Sequence, residues 1–276
     1  MIFLLLPLRH LGIALAVVCA GSPAAAQFSA AISPPRVELD APAGKTVRSV
    51  IEITNTSPLA GEYKVYTNDW SLTADGKINF SSELADDSCR SWVAIERKQI
   101  SVPSGSRFRY RFEVSPPFDT AARECRFALM IESSEQGVES GPVNIPMSGR
   151  IGVIVYARVG DVVPDLRVVR SLVAQSDGKA VPALEVFNAG QATGRFFGFV
   201  TARLADGSVV DLSPNSVPIL PGMRRTVELL PVPPADRPND KSPELRWPLR
   251  VSGTLETGLP NGPKTPVDVS YESANN

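Results

Sequence analysis

The reactive side chains of this 276-residue chain set narrow bounds on what it can do. Its one histidine, His10, lies within the first 26 residues. Once that stretch is removed, the chain can build no Ser-His-Asp or Cys-His relay and no His-ligated zinc or haem site. Acids, lysines and tyrosines remain, and two carboxylates suffice for glycoside hydrolysis. The Asp and Glu residues are scattered, however, and none sits in a recognisable catalytic motif. The sequence reads as a non-enzyme with no call for a cofactor or a metal.

Of the three cysteines, Cys19 falls within the same N-terminal stretch, which leaves Cys89 and Cys125. An even count in an exported chain predicts a disulfide, worth about 3–4 kcal/mol by chain entropy. Two free thiols are the alternative; a redox pair is disfavoured, because no C-x-x-C is present. Arg107, Arg109 and Arg111 form a ladder that suits either an anionic partner or a solvated strand face. Trp70 and Trp92 suit a sandwich core better than a ligand platform.

The N-terminus reads as a secretory signal. Arg9 is followed by an apolar run at 11–20 and by Ala24-Ala25-Ala26 before Gln27, a small-residue site for cleavage after Ala26. The run is too short to span a bilayer. A retained anchor and lipid attachment at Cys19 are the alternatives, the latter opposed by Val18. Cleavage removes one base and no acid. With 28 basic and 29 acidic residues in the whole chain, no bulk positive charge is available for nucleic acid. No later segment is apolar enough to span a membrane, so an exported protein without an integral membrane segment is expected.

The elements that must position these groups are strands. In Arg107-Phe108-Arg109-Tyr110-Arg111-Phe112-Glu113-Val114, apolar and charged residues alternate with a period of two. A slip of one residue would bury three arginines, so the register is specified. Ile51/Ile53, Tyr63/Val65 and Phe127/Leu129/Ile131 repeat the pattern. Ala74-Asp75-Gly76-Lys77 and Ala205-Asp206-Gly207-Ser208 are hairpin signals, and Val102-Pro103-Ser104-Gly105 is a turn. Val143, Ile145 and Met147 alternate, Ser148-Gly149 interrupts, and Ile151, Val153 and Val155 resume, with Ile154 and Tyr156 on the opposite face. Residues 157–165 read as a linker. Beyond it, Leu184/Val186 lead to a turn at Asn188-Ala189-Gly190, then strands follow at 196–204, 226–230, 247–255 and 267–269. Residues 231–243 read as a loop, and the tail from 270 as frayed. Short strands at this spacing predict an all-β protein: two tandem immunoglobulin-like β-sandwich domains, 27–160 and 164–273.

The first half resembles the periplasmic pilus-assembly chaperones of the chaperone–usher, PapD-like family. Ile32-Ser33-Pro34-Pro35-Arg36-Val37 resembles the family's first strand with its Arg. Val50-Ile51-Glu52-Ile53-Thr54-Asn55 resembles the second strand. Val102-Pro103-Ser104-Gly105 with Phe108-Arg109-Tyr110-Arg111 resembles the Pro-x-Gly turn and its strand, and residues 151–156 the end of the last strand of domain one. The second half is similar in architecture only. The resemblance implies a periplasmic chaperone that caps fimbrial or pilin-like subunits by donor-strand complementation, lending Val143, Ile145, Met147, Ile151 and Val153. Ordinary core packing is the other use of these residues. It also implies that Arg36 anchors the subunit's C-terminal carboxylate, for which a surface salt bridge is the alternative. The family's partner Lys aligns near Val153, and Arg150 is the nearest base to it. Secreted subunits are the implied partners, and an outer-membrane usher is left open as a second. Apart from the resemblance, an exported two-domain adhesion or surface-assembly protein fits the same residues.

Overall fold

The structure is a computed structural model that describes residues 30–73, 76–85, 88–133, 149–234, 236–258 and 262–272, and the backbone of 136–140 and 143–147. Residues 1–29, where a secretory signal is expected, the end of the C-terminal tail and two residues of the Ala74–Lys77 turn lie outside the described residues.

In chain order the strands of the first half are β1 (Ala30–Ser33), β2 (Arg36–Asp40), β3 (Val47–Asn55), β4 (Gly61–Leu72), β5 (Ile78–Ser81), β6 (Val93–Ile95), β7 (Gln99–Val102), β8 (Arg107–Val114), β9 (Arg123–Ser133), β10 (Gln136–Ser140), β11 (Val143–Met147) and β12 (Arg150–Val159). One sheet has the order β1-β3-β8-β6; the other has the order β2-β12-β9-β4-β5, with β7 also on β4. The hairpin β10–β11 stands apart as a two-stranded arm. Pro34 and Pro35 separate β1 from β2. They cannot donate to a ladder, and the chain crosses there from β3 in one sheet to β12 in the other.

Between the sheets lies a core of Ile51, Ile53, Tyr63, Val65, Tyr110, Phe112, Phe127, Leu129, Ile131, Val153 and Val155. β8 follows the expected alternation, with Tyr110, Phe112 and Val114 buried and its arginines in solvent. Arg107 pairs with Glu52 and Arg111 with Glu96, as on a solvated face. The Cys89–Cys125 disulfide is formed at the edge of this core, Cα to Cα 6.1 Å. Trp92 packs against the same core.

The second half has β13 (Leu166–Ser176), β14 (Lys179–Asn188), β15 (Val200–Arg203), β16 (Val209–Pro214), β17 (Arg224–Pro231), β18 (Leu249–Glu256) and β19 (Lys264–Tyr271). They form one sheet, β13-β14-β17-β16-β15-β18-β19, folded around a separate core that includes Leu184, Val186, Phe196, Leu212, Val227 and Val251. Its end strands meet, with Thr265 Oγ1 donating to the Leu166 carbonyl at 3.3 Å.

Three sequence expectations about the strands are corrected. The tail expected to fray from residue 270 stays paired through Tyr271, which is buried and donates to the Ala183 carbonyl at 3.0 Å. The linker is shorter than 157–165, because Ala157, Arg158 and Val159 continue the ladder opposite Cys125, Glu124 and Arg123. The chain turns at Gly160, whose φ of 72° suits a residue without a Cβ. The strand expected over 196–204 is confined to Val200–Arg203, because Gly198 (φ 94°) breaks the extended backbone before it.

Both halves carry the same buried plug. Asn55 ends β3, and its Nδ2 donates to the carbonyls of Leu59 (2.7 Å) and Val102 (2.9 Å) while Oδ1 accepts from Ser57 N. Asn188 ends β14, and its Nδ2 donates to the carbonyls of Ala192 and Ile219 (both 2.8 Å) while Oδ1 accepts from Gly190 N. The backbone N of each donates to the residue just before β8 or β17, Ser106 or Met223. In each unit one amide thus ties the loop after its own strand to the chain that leads into the neighbouring strand. Buried polar groups persist where they are hydrogen-bonded in this way.

Candidate functional site

The first candidate surface is the edge formed by β11 and the start of β12. β11 pairs with β10 alone, and β12 pairs with β9 along its length but with β2 only from Ile154 to Arg158. Among the described residues, the outer edge of residues 143–147 and 150–153 therefore has no strand beside it. Ser133 joins the arm to the sheet, its N donating to the Gly149 carbonyl (2.9 Å) and its Oγ accepting from Gly149 N (3.0 Å).

Val143, Ile145 and Met147 occupy alternate positions of β11; their side chains lie outside the described residues. Ile151 is half-buried at the base of the arm. Val153 is corrected from the lent set. It is 0% exposed and packs in the first core with Val155 and Ala157, the face its parity dictates.

The opposite face of β12 and β9 meets the second unit. Ala128, Met130, Ile154 and Tyr156 form a third apolar cluster with Leu72 and, from the second unit, Leu220; Trp70, Phe80 and Met223 pack around it. Phe80 lies over Gly152, where a Cβ would come within 2.4 Å of its ring.

Charged groups ring this cluster. Glu38 on β2 forms an ion pair with Arg36 (3.1 Å) and accepts a hydrogen bond from Arg158 (3.1 Å), and its carboxylate lies 3.7 Å from Arg195 of the second unit. Arg195 donates to Tyr156 Oη at 3.0 Å and stacks on that ring. Burial pushes the Tyr156 phenol up, and Arg195 opposes the shift. Arg36 keeps 43% of its side chain exposed beside this group.

The structure does not bring Arg36 and Arg150 together. Arg36 is in register with Ile154, and Arg150 lies four positions along β12, about 13 Å at strand rise. β2 starts pairing only at Ile154, so the backbone of Arg150 belongs to the open edge, while its side chain interacts with Tyr66 of β4, on the far side of β9. Arg195 was not legible in the sequence, because Gly194-Arg195-Phe196 carries no periodic or motif signal. Only the meeting of the two units gives it a role.

Glu124 is the second tie between units. Its carboxylate, 3% exposed, accepts from Thr193 N (2.9 Å) and Thr193 Oγ1 (2.5 Å). Burial raises its pKa above the ordinary carboxylate value, against the lowering by Thr193, Arg126 and Arg158. The folded state therefore holds this proton more tightly than the unfolded chain does. Stability should fall as pH rises from the ordinary carboxylate pKa to the raised one, then level off. Glu124→Gln has no such titration, so its stability relative to the natural chain should rise across that window. Urea midpoints of both proteins between about pH 4 and pH 8 measure this, and a pH-independent difference would refute it.

No protein-family model matches the chain. No curated protein matches it either. Three solved structures similar to the chain contain chaperones. The YadV chaperone is 10% identical with a TM-score of 0.47, over 88% of this chain and 100% of that one. The CsuC–CsuE chaperone–tip adhesion subunit pre-assembly complex of Acinetobacter baumannii gives 13% identity and a TM-score of 0.44, over 87% and 97%. The Salmonella enterica SafA pilin in complex with the SafB chaperone gives 12% and 0.44, over 90% and 99%. Among the described residues no helix is long and apolar enough to cross a membrane.

Proposed function

We propose that this chain is a periplasmic chaperone that binds fimbrial or pilus-like subunits and caps them by donor-strand complementation. The observation that carries the reading is the open edge of β11 and residues 150–153, backed on its inner side by β10 and β9. A subunit that lacks a strand exposes an apolar groove and unpaired backbone groups, and both drive aggregation. An added strand satisfies the backbone, and its alternate side chains fill the groove. Val143, Ile145, Met147 and Ile151 take the inserting role; Val153 does not, because it belongs to the chaperone's own core. Arg36 is the base available to a subunit carboxylate, through a charge-assisted pair. Arg195, sharing Glu38 with it, holds a second positive charge at the same place. The partners are secreted subunits, with an outer-membrane usher as a further one, and no cofactor takes part.

The test is periplasmic co-expression with candidate secreted fimbrial or pilin-like subunits, comparing the natural chain with Ile145→Asp/Met147→Asp. β11 pairs with β10 alone, in a sheet separate from the sheets around both cores, so the variant should keep its thermal midpoint. Each aspartate must enter an apolar groove at a cost of several kcal/mol, and subunit recovery should fall by more than about tenfold. If the natural chain recovers no subunit, or a folded variant recovers as much, the reading fails and an exported adhesion module takes its place.

A further inference from the structure

The open edge raises a problem of its own. β11 reads Val143-Asn144-Ile145-Pro146-Met147, an uncharged and largely apolar stretch. An unpaired edge of that kind is a template for any strand, including that of a second copy of this chain. β10 beside it carries Glu139, a charge of the sort that guards edges; β11 carries none. What β11 has instead is Pro146.

Backbone direction decides what that proline does. Pro146 is paired in register with Gly137, between the pairs Ile145↔Val138 and Met147↔Gln136. In an antiparallel ladder, hydrogen-bonded pairs alternate with pairs that exchange no bond. A proline fits a strand where its missing N–H would face away from the neighbour. Val143, Ile145 and Met147 therefore turn their backbone groups toward β10, and Asn144 and Pro146 turn theirs to the open edge. On β12 the even-numbered residues face the same side, since the Arg158 carbonyl accepts from Ala41 N, in the chain just beyond β2, at 2.7 Å. The open edge thus offers N–H groups at Asn144, Arg150 and Gly152. At 146 it offers a ring in the place of a donor.

We propose that Pro146 is the gatekeeper of this edge, and that it keeps two copies of the chain from pairing edge to edge through β11. In a two-fold arrangement each copy meets the other's equivalent surface, so one proline interrupts the ladder twice. The device acts on the free protein and does not depend on any client.

Sedimentation velocity over a wide concentration range tests this with three proteins: the natural chain, Pro146→Val, and Asn144→Pro/Pro146→Val. The natural chain should be monomeric. Pro146→Val restores the missing donor and should self-associate at least about tenfold more strongly, forming dimers and larger species. The double variant returns a proline to the other edge-facing position of β11 and should be monomeric again. A monomeric Pro146→Val overturns the proposal, as does a natural chain that dimerises equally. Dimers that persist in the double variant overturn it too, because they would form through another surface. All three should share one thermal midpoint; an unfolded Pro146→Val would also count against the proposal, since it would give the residue a folding role instead.

Discussion

Asn188→Ala is expected to lower the unfolding free energy by about 3–5 kcal/mol, the sum of several buried hydrogen bonds lost together. The side chain is 0% exposed and makes four bonds: two from Nδ2, to Ala192 and Ile219, and two at Oδ1, from Asp165 N and Gly190 N. Alanine offers no replacement, and the site is too enclosed for water to enter without rearrangement. The bond from Asp165 carries a further consequence, because that residue lies in the connection between the units. Gly190 is pressed against the same connection, with its absent Cβ 2.4 Å from Asp165 N and Val163 O. The variant should therefore loosen the connection as well as the second core. Urea unfolding reads the free energy, and protease cleavage near residues 160–165 reads the loosening. Asn239→Ala, at an exposed position, serves as the control and should change stability by less than about 0.5 kcal/mol. A loss at Asn188 as small as the control's would show that the plug has no energetic role.

The second large effect concerns the disulfide. Cys89 and Cys125 are 36 positions apart, and both are buried against the first core. Closing a loop of that length restricts the unfolded chain by about 3–4 kcal/mol. Cys89→Ala/Cys125→Ala should lose that amount in urea unfolding. The natural chain under reducing conditions should behave like the variant. Because Cys125 adjoins Glu124, which holds Thr193, fraying at this end of β9 should also weaken the contact between the units. Equal stability of the oxidised protein and the double variant would refute the entropic account.

Much of the fold was legible as alternation. β8 could be placed from Arg107 to Val114 because a charge on every second residue leaves only one register with buried apolar groups. The turns at Ser104-Gly105 and Asp206-Gly207 were legible because glycine with positive φ marks them. Alternation failed where both faces of a strand are covered. In β12, Val153, Ile154, Val155 and Tyr156 are all buried, because one face packs on the first core and the other on the second unit. Alternation alone does not separate Val153, which faces the first core, from a residue free to be lent. The linker is shorter than the sequence predicts for a related reason: Ala157 and Val159, both buried, continue the same strand.

The candidate site divides in the same way. The apolar period at Val143, Ile145 and Met147, the resemblance of Arg36 and its neighbours to a family strand, and the pairing of the two remaining cysteines were all local properties of the chain, set by spacing and count. The sequence by itself determined that strands would form, which of their faces are apolar, and that an unpaired edge there would be sticky. Which edge stays unpaired depends on where β2 begins to pair with β12, and that is set by sheet assembly. The company of Arg36 was decided in three dimensions as well: Arg195 and Glu38 are 157 positions apart in the chain yet share an ion pair. Contacts between two separately folded units leave no period in either one, so the charges and the apolar cluster that join them appear only when the two surfaces meet.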